Sequence, residues 1–153
     1  NIVKMEPQKL EKEEPGILKQ LGFPNTYTLA KNLAEQALMK YKRSDIRLTI
    51  SRPAGITATQ RFPFPGWTDS IAAGGAIVYS LGRGITNRDL SYPDVICTMI
   101  PCDYVVNAML VQTALSVALP RPGIEIVHVC PSAVFQEYKQ GEFFNDCHKY
   151  LQQ

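Results

Sequence analysis

Two residues of the chain have types and a spacing that suit proton transfer. Tyr27 and Lys31 stand at i and i+4 in the run Asn25-Thr-Tyr27-Thr-Leu-Ala-Lys31. On a helix, four residues advance about 400° and about 6 Å, so both side chains leave one face a turn apart. A free tyrosine titrates near ~10 and is a poor acid at neutral pH. A neighbouring ammonium favours the phenolate and leaves a phenol able to protonate an alkoxide. With seven Tyr in 153 residues the pair alone is a weak motif. On spacing alone the commoner meaning is an ordinary helix pair, with Tyr27 half-buried in a core.

The elements that must carry these residues are legible in outline. Asn25 to Lys42 is the clearest helix, with Asn25 as N-cap and Leu29, Leu33, Ala37, Leu38 and Tyr41 at helical spacing. Arg47 to Ser51 follows as a buried strand, which Arg52-Pro53-Ala54-Gly55 ends. Residues 53–67 read as a loop with Pro53, Pro63 and Pro65 among Phe62, Phe64 and Trp67. Residues 69–81 suit a helix weakened by Gly74-Gly75, and Cys97 to Ile100 suits a short strand. Asp103 is expected to cap a helix running to about Leu119. That helix is apolar almost all round and so should be sandwiched between neighbours. Ile124 to Cys130 reads as a buried strand, and a last amphipathic helix runs from Gln136 or Tyr138 to Leu151. Residues 1–23 are expected as a surface connection of short helical turns broken at Pro7 and Pro15, packing through Leu10, Ile17, Leu18 and Leu21. Helices alternating with short apolar strands predict an α/β fold with a mainly parallel sheet.

Composition narrows the classes. A hydrophobic content of 45% with 20% charged residues is too apolar for a disordered chain, and 153 residues suffice for one domain with a core. A net charge of +2 gives no reason to propose nucleic-acid binding. Cys97, Cys102, Cys130 and Cys147 have no C-x-x-C spacing, and His128 and His148 are their only histidine companions. Free, mostly buried thiols in a reducing compartment are therefore expected, and no metal site. The longest uncharged stretch, Tyr104 to Pro120, is short of the ~20 residues of a membrane span. Gly82-Arg83-Gly84 lacks the third glycine of a dinucleotide fingerprint and follows no first strand, so it is rejected as a phosphate loop. His128, in a predicted buried strand, and His148 have no carboxylate or nucleophile at useful spacing.

Several motifs fall in a familiar order. The Tyr27–Lys31 helix is followed by a strand ending in Arg52-Pro53-Ala54, which resembles the second half of a short-chain dehydrogenase/reductase domain. Phe64-Pro-Gly-Trp67 with Asp69, Gly82-Arg-Gly84, Ile100-Pro-Cys-Asp103-Tyr-Val-Val-Asn107 and His128-Val-Cys130 are similar to the alcohol-forming fatty acyl-CoA reductases. The likeness runs from about Phe23 to Leu151, through a Gly141-Glu142 helix. It implies a partial Rossmann-like domain using NADPH to reduce a fatty acyl-CoA to a primary alcohol in two hydride transfers. By that resemblance Tyr27 is the general acid, and Lys31 bonds the nicotinamide ribose and tunes Tyr27. Pro53, Ala54, Gly55 and Ile56 run beside the nicotinamide. Phe62, Phe64, Pro65 and Trp67 lie on the substrate side, where they line an acyl channel or simply pin the loop. Asp103 and Asn107 look like signature residues, with Asp103 structural.

A glycine-rich turn after a first strand, needed to hold a pyrophosphate, has no counterpart in the sequence. Together with the start at Asn1, this predicts that residues 1–153 are the C-terminal part of a reductase domain and inactive in isolation. Intracellular placement is expected, with organelle-membrane association possible only through segments outside these residues. Two alternatives stay open: a carrier-bound acyl thioester reductase that stops at the aldehyde, and a non-catalytic remnant.

Overall fold

The computed structural model describes residues 7–72, 74–86, 92–119, 122–131 and 138–151. It divides into two compact units, Asn1–Leu48 and Thr49–Gln153.

The first unit is a pair of helices, α1 (Pro7–Leu21) and α2 (Thr26–Tyr41), packed on one another. The broken turns expected before Phe23 are one continuous helix instead. Pro7 occupies its first position, where a missing N–H costs nothing, and only Pro15 lies inside it. Ile17 and Leu18 are half-buried as expected and Leu21 is exposed, while the side chain of Leu10 lies outside the described ones. Gly22 ends α1 at φ +75°. Its N–H donates to the Lys19 carbonyl at 3.3 Å, and that of Phe23 to Leu18 at 2.9 Å. That pairing satisfies the last free carbonyls and requires a left-handed residue, hence glycine. Asn25 then caps α2 as predicted, its side-chain oxygen accepting the Thr28 N–H at 2.9 Å.

The second unit holds the strands. β1 (Leu48–Pro53) neighbours β4 (Ile124–Val129), and β2 (Gly55–Thr57) pairs with β3 (Met99–Pro101). The β2–β3 pair is parallel, with Gly55 opposite Met99, Ile56 opposite Ile100 and Thr57 opposite Pro101. The α/β class holds, with parallel strands and flanking helices, and the strands form two two-stranded sheets among the described residues. β2 lies inside what the sequence suggests is all loop. Three residues between Ala54 and a turn are too short to show a period, and their pairing with residues 99–101 is non-local.

Helix α3 (Gly74–Gly82) packs on β2 and on α5 (Gln140–Leu151), and α4 (Cys102–Ala118) packs on β2 and β3. Gly74-Gly75 starts α3 rather than weakening it. A Cβ on Gly74 would meet the Met99 sulfur at 3.1 Å and one on Gly75 the Ser70 carbonyl at 3.1 Å, so a larger residue at the helix start requires its neighbours to shift by a few tenths of an ångström. Gly82-Arg83-Gly84 terminates α3, with Gly84 at φ +67° and Ile85 N–H donating to Ser80 at 2.9 Å. It is a helix stop of the same kind as Gly22, consistent with its rejection as a phosphate loop.

The buried centre is Ile100, Val105 and Val129, with Ala54, Tyr104 and Ala108 packed against it. Two expectations of burial fail around it. Helix α4 is not sandwiched, because Val106, Met109, Leu110, Val111 and Val117 are each more than half exposed. Apolarity all round states what a helix can bury, not what surface its neighbours supply. Strand β4 is likewise only half-buried, with Val129 inside and His128 exposed, which corrects the reading of His128 as a core residue.

Candidate active site

The parallel pairing of β2 and β3 decides where a site can form in the second unit. Parallel strands send both chains out at the same end, and ligands of α/β folds bind beyond the carboxyl ends of strands. The last paired residues are Thr57 and Pro101. Two residues beyond each stand Thr59 and Asp103, both buried, at 5% and 8% exposure.

Thr59 closes the loop after β2 on itself. Its N–H donates to the Trp67 carbonyl at 2.9 Å, its carbonyl accepts the Gly66 N–H at 2.8 Å, and its hydroxyl donates to the Phe64 carbonyl at 2.7 Å. The Trp67 N–H donates back to the Thr59 hydroxyl at 3.1 Å. Asp103 holds the other side of the loop. Its carboxylate accepts the backbone N–H of Gln60 at 3.0 Å, Arg61 at 2.9 Å and Phe62 at 3.3 Å. The N-cap role expected of Asp103 is therefore wrong. Pro101 occupies the cap position, and Asp103 lies in the first turn of α4 facing a different segment. Its structural character is as expected, with a partner no local pattern reveals.

Burial opposes the Asp103 charge, but the hydrogen bonds from the loop amides outweigh it and hold the carboxyl below the usual carboxylate range. A value lowered on folding gives stability that is complete above the unfolded value, near ~4, and is lost as pH falls through the lower folded value. The stability gap between wild type and Asp103→Asn is therefore expected to be full at neutral pH and to close in acid below about pH 4. Urea midpoints measured across that range check this, and a gap that stays constant would contradict it.

Two cavities adjoin this edge. One, of about 640 Å³, is lined by Ile56, Trp67, Ile71, Val78, Met99 and Cys102 among others. The second, of about 700 Å³, is lined by Thr59, Gln60, Cys97, Cys130, Tyr138 and Phe143 among others. Of the residues expected on the substrate side, Trp67 is half-buried in the wall of the first cavity, whereas Phe62 and Phe64 are exposed and, with Pro65, line neither. Ala54 and Gly55 are fixed by backbone bonds, Ala54 N–H to Val129 at 3.0 Å and Gly55 N–H to Thr98 at 3.1 Å. A Cβ on Gly55 would meet the Thr98 carbonyl at 3.3 Å, so the close approach at that position is to the backbone just before β3. Pro53, Gly55 and Ile56 are exposed, and Ile56 also faces the first cavity.

Two thiols of the second unit, Cys97 and Cys147, are not poised as nucleophiles. Burial pushes Cys97 up, and burial with the charge of Asp146 pushes Cys147 up. Cys130 is exposed and Cys97, Cys102 and Cys147 are only half-buried, which corrects the expectation of mostly buried thiols, and all four cysteines are free. Tyr138 donates to an Asp146 carboxylate oxygen at 2.5 Å, and burial and that carboxylate push its phenol strongly upward. It therefore stays a neutral donor already committed to Asp146. Among the described residues no group of three or more His, Cys, Asp or Glu is placed to hold a metal, and no helix is long and apolar enough to cross a membrane.

In the first unit, Tyr27 lies in the first turn of α2 and Lys31 one turn later. The pair is brought together as the spacing predicts, with the Lys31 ammonium over the Tyr27 ring, 5.3 Å from its centroid. Tyr27 is 68% exposed, not half-buried in a core.

Parallel strands with flanking helices, and a loop built at the strands' carboxyl ends, define a partial Rossmann-like α/β unit. The chain belongs to the Male sterility protein family of NAD-binding domains, which matches residues 1–109. It is 43% identical over 90 residues to the alcohol-forming fatty acyl-CoA reductase of Simmondsia chinensis, covering 59% of this chain and 18% of that one. It is 38% identical over 93 residues to the probable fatty acyl-CoA reductase 5 of Arabidopsis thaliana, covering 61% and 18%. With fatty acyl-CoA reductase 2 of Bos taurus it shares 32% identity over 110 residues, covering 72% and 21%. The chain thus spans about a fifth of the length of these relatives. The family match ends at residue 109, so His128-Val-Cys130 and Gly141-Glu142 lie outside it, while residues 1–22 lie within it.

Proposed function

We propose that this chain is the later part of the reductase domain of an NADPH-dependent enzyme that converts a long-chain fatty acyl-CoA to the primary alcohol. The observation that carries the proposal is the Tyr27–Lys31 pair, with an ammonium 5.3 Å from the ring centroid of an exposed phenol in the first turn of a helix. Membership of an NAD-binding family and likeness to fatty acyl-CoA reductases support it.

Each unit by itself holds residues whose chemistry suits a nicotinamide cofactor. Lys31 offers a cation with three donors to a ribose hydroxyl. Pro53, Ala54, Gly55 and Ile56 offer a segment of small residues tied down by backbone bonds, with Pro53, Gly55 and Ile56 exposed. When bound, the cofactor supplies hydride to the carbonyl carbon. Tyr27 gives its phenolic proton to the substrate oxygen as negative charge develops there, and Lys31 stabilises the phenolate left behind. Trp67 offers an apolar wall for the acyl side, while Phe62, Phe64 and Pro65 stand on the exposed part of the same loop.

The test is a comparison of substrates with the intact enzyme. A long-chain acyl-CoA should be reduced with NADPH in preference to NADH, and in preference to the same acyl group on a phosphopantetheine carrier. Faster turnover of the carrier-bound thioester, with aldehyde as the final product, would replace this reading by that of a carrier-dependent reductase.

A further inference from the structure

The loop from Thr59 to Trp67 is held in two unlike ways. Thr59 joins its two ends, a closure local to the loop itself. Asp103 is its connection to another element, reaching from the first turn of α4 across 41 to 43 residues of sequence to three consecutive amides. The donors belong to residues that are exposed, while the acceptor is buried. A buried carboxylate meeting three amide donors makes charge-assisted bonds, roughly twice as strong as neutral ones. The residue before Asp103, Cys102, lines the 640 Å³ cavity, and so does Trp67 at the far end of the loop. One turn of α4 therefore lines the cavity and also fixes the loop that supplies another part of its lining. The volume lies in the usual range of small-molecule sites, and Trp67, Ile71, Val78 and Met99 give it the apolar lining an alkyl chain needs.

We infer that Asp103 is a positioning residue: through the amides of Gln60, Arg61 and Phe62 it holds the loop that ends at Trp67, and so shapes the cavity that takes the alkyl chain of the acyl thioester. The identity of that ligand rests on the reductase reading above, whereas the anchoring of the loop stands on the distances alone. Asp103 touches no reacting atom in this scheme. Its removal should weaken binding of the tail and leave the proton-transfer step of bound substrate nearly unchanged.

Trp67 is the sole tryptophan, so its emission reports on this loop without labelling. In the 153-residue chain, Asp103→Asn should shift Trp67 emission to the red and raise its quenching by acrylamide, with helix content retained, and Asp103→Glu should restore part of the wild-type signal. Should Asp103→Asn not fold, amide exchange in the wild-type chain decides the same point. The amides of Gln60, Arg61 and Phe62 should exchange at least about tenfold more slowly than in an unstructured chain. Coil-like exchange there, or an unchanged Trp67 signal in folded Asp103→Asn, would overturn the anchoring. In the intact enzyme Asp103→Asn should raise KM for hexadecanoyl-CoA by about tenfold, with a smaller effect on butanoyl-CoA and on NADPH. Equal KM values for wild type and variant would overturn the link to the alkyl chain. A wild-type enzyme that reduces no acyl-CoA would sink the reductase reading instead, and the emission and exchange measurements would still decide the anchoring.

Discussion

Replacing Tyr27 by phenylalanine is expected to lower alcohol formation by the intact reductase by about 10²- to 10⁴-fold, the usual worth of a positioned general acid. The effect should fall on kcat, because the phenolic proton is needed only once negative charge grows on the substrate oxygen. Packing gives no competing explanation. Tyr27 is largely exposed, and an exposed side chain that loses one oxygen changes stability by no more than about 0.5 kcal/mol. The Asn25 cap that starts α2 bonds the Thr28 amide and leaves the Tyr27 hydroxyl uninvolved. Thermal unfolding of wild type and variant should therefore coincide while their rates differ by orders of magnitude. A variant that makes alcohol at the parental rate would show that another group supplies the proton.

The second large effect is on the fold. Ile100→Ala is expected to destabilise the chain by roughly 2–5 kcal/mol. Ile100 is 2% exposed, the lowest value of the buried apolar residues, and it sits in β3 opposite Ile56 of β2. It packs with Val105 at the start of α4 and Val129 at the end of β4, so one side chain joins three elements. Truncation would open a cavity at their junction and remove support from the strand end where Thr59 and Asp103 stand. Such a loss is a large part of the 5–15 kcal/mol of a typical domain, so the urea midpoint should fall steeply. Leu110→Ala on the exposed side of α4 is the control and should change it little. Equal midpoints for Ile100→Ala and Leu110→Ala would place the core elsewhere.

How much of this was legible in the sequence follows the range of the forces involved. Helix α2 and its Asn25 cap are set by neighbours three and four residues away, and the expected span agrees with the observed Thr26–Tyr41. The Tyr27–Lys31 pairing is legible for the same reason. Pro15 shows the limit of local rules, because tertiary packing on α2 outweighs the bond that a proline removes from α1. Strand β2 is hidden because its partner is some forty residues away and three residues show no alternation. Asp103 is the most instructive miss. An acidic residue after Pro101-Cys102 at the head of an apolar helix has the local signature of a cap, yet its carboxylate serves the loop at 60–62. Thr59 carried no signal at all, since nothing in a lone threonine before a proline-rich stretch announces that it is buried and bonded across the loop. Among the loop aromatics Trp67 lines the 640 Å³ cavity and Phe62 and Phe64 line neither of the two cavities at this edge, a distinction that composition cannot express.

A site that reduces an acyl thioester through to the alcohol with Tyr27 and Lys31 leaves a distinctive product balance. The most direct measurement is the product and stoichiometry of the intact enzyme given hexadecanoyl-CoA and NADPH. Hexadecanol is expected, with about two NADPH consumed for each CoA released, as two hydride transfers to one carbonyl carbon require. Release of CoA and free hexadecanoic acid without NADPH consumption would contradict it, because the site would then be hydrolysing the thioester and not reducing it.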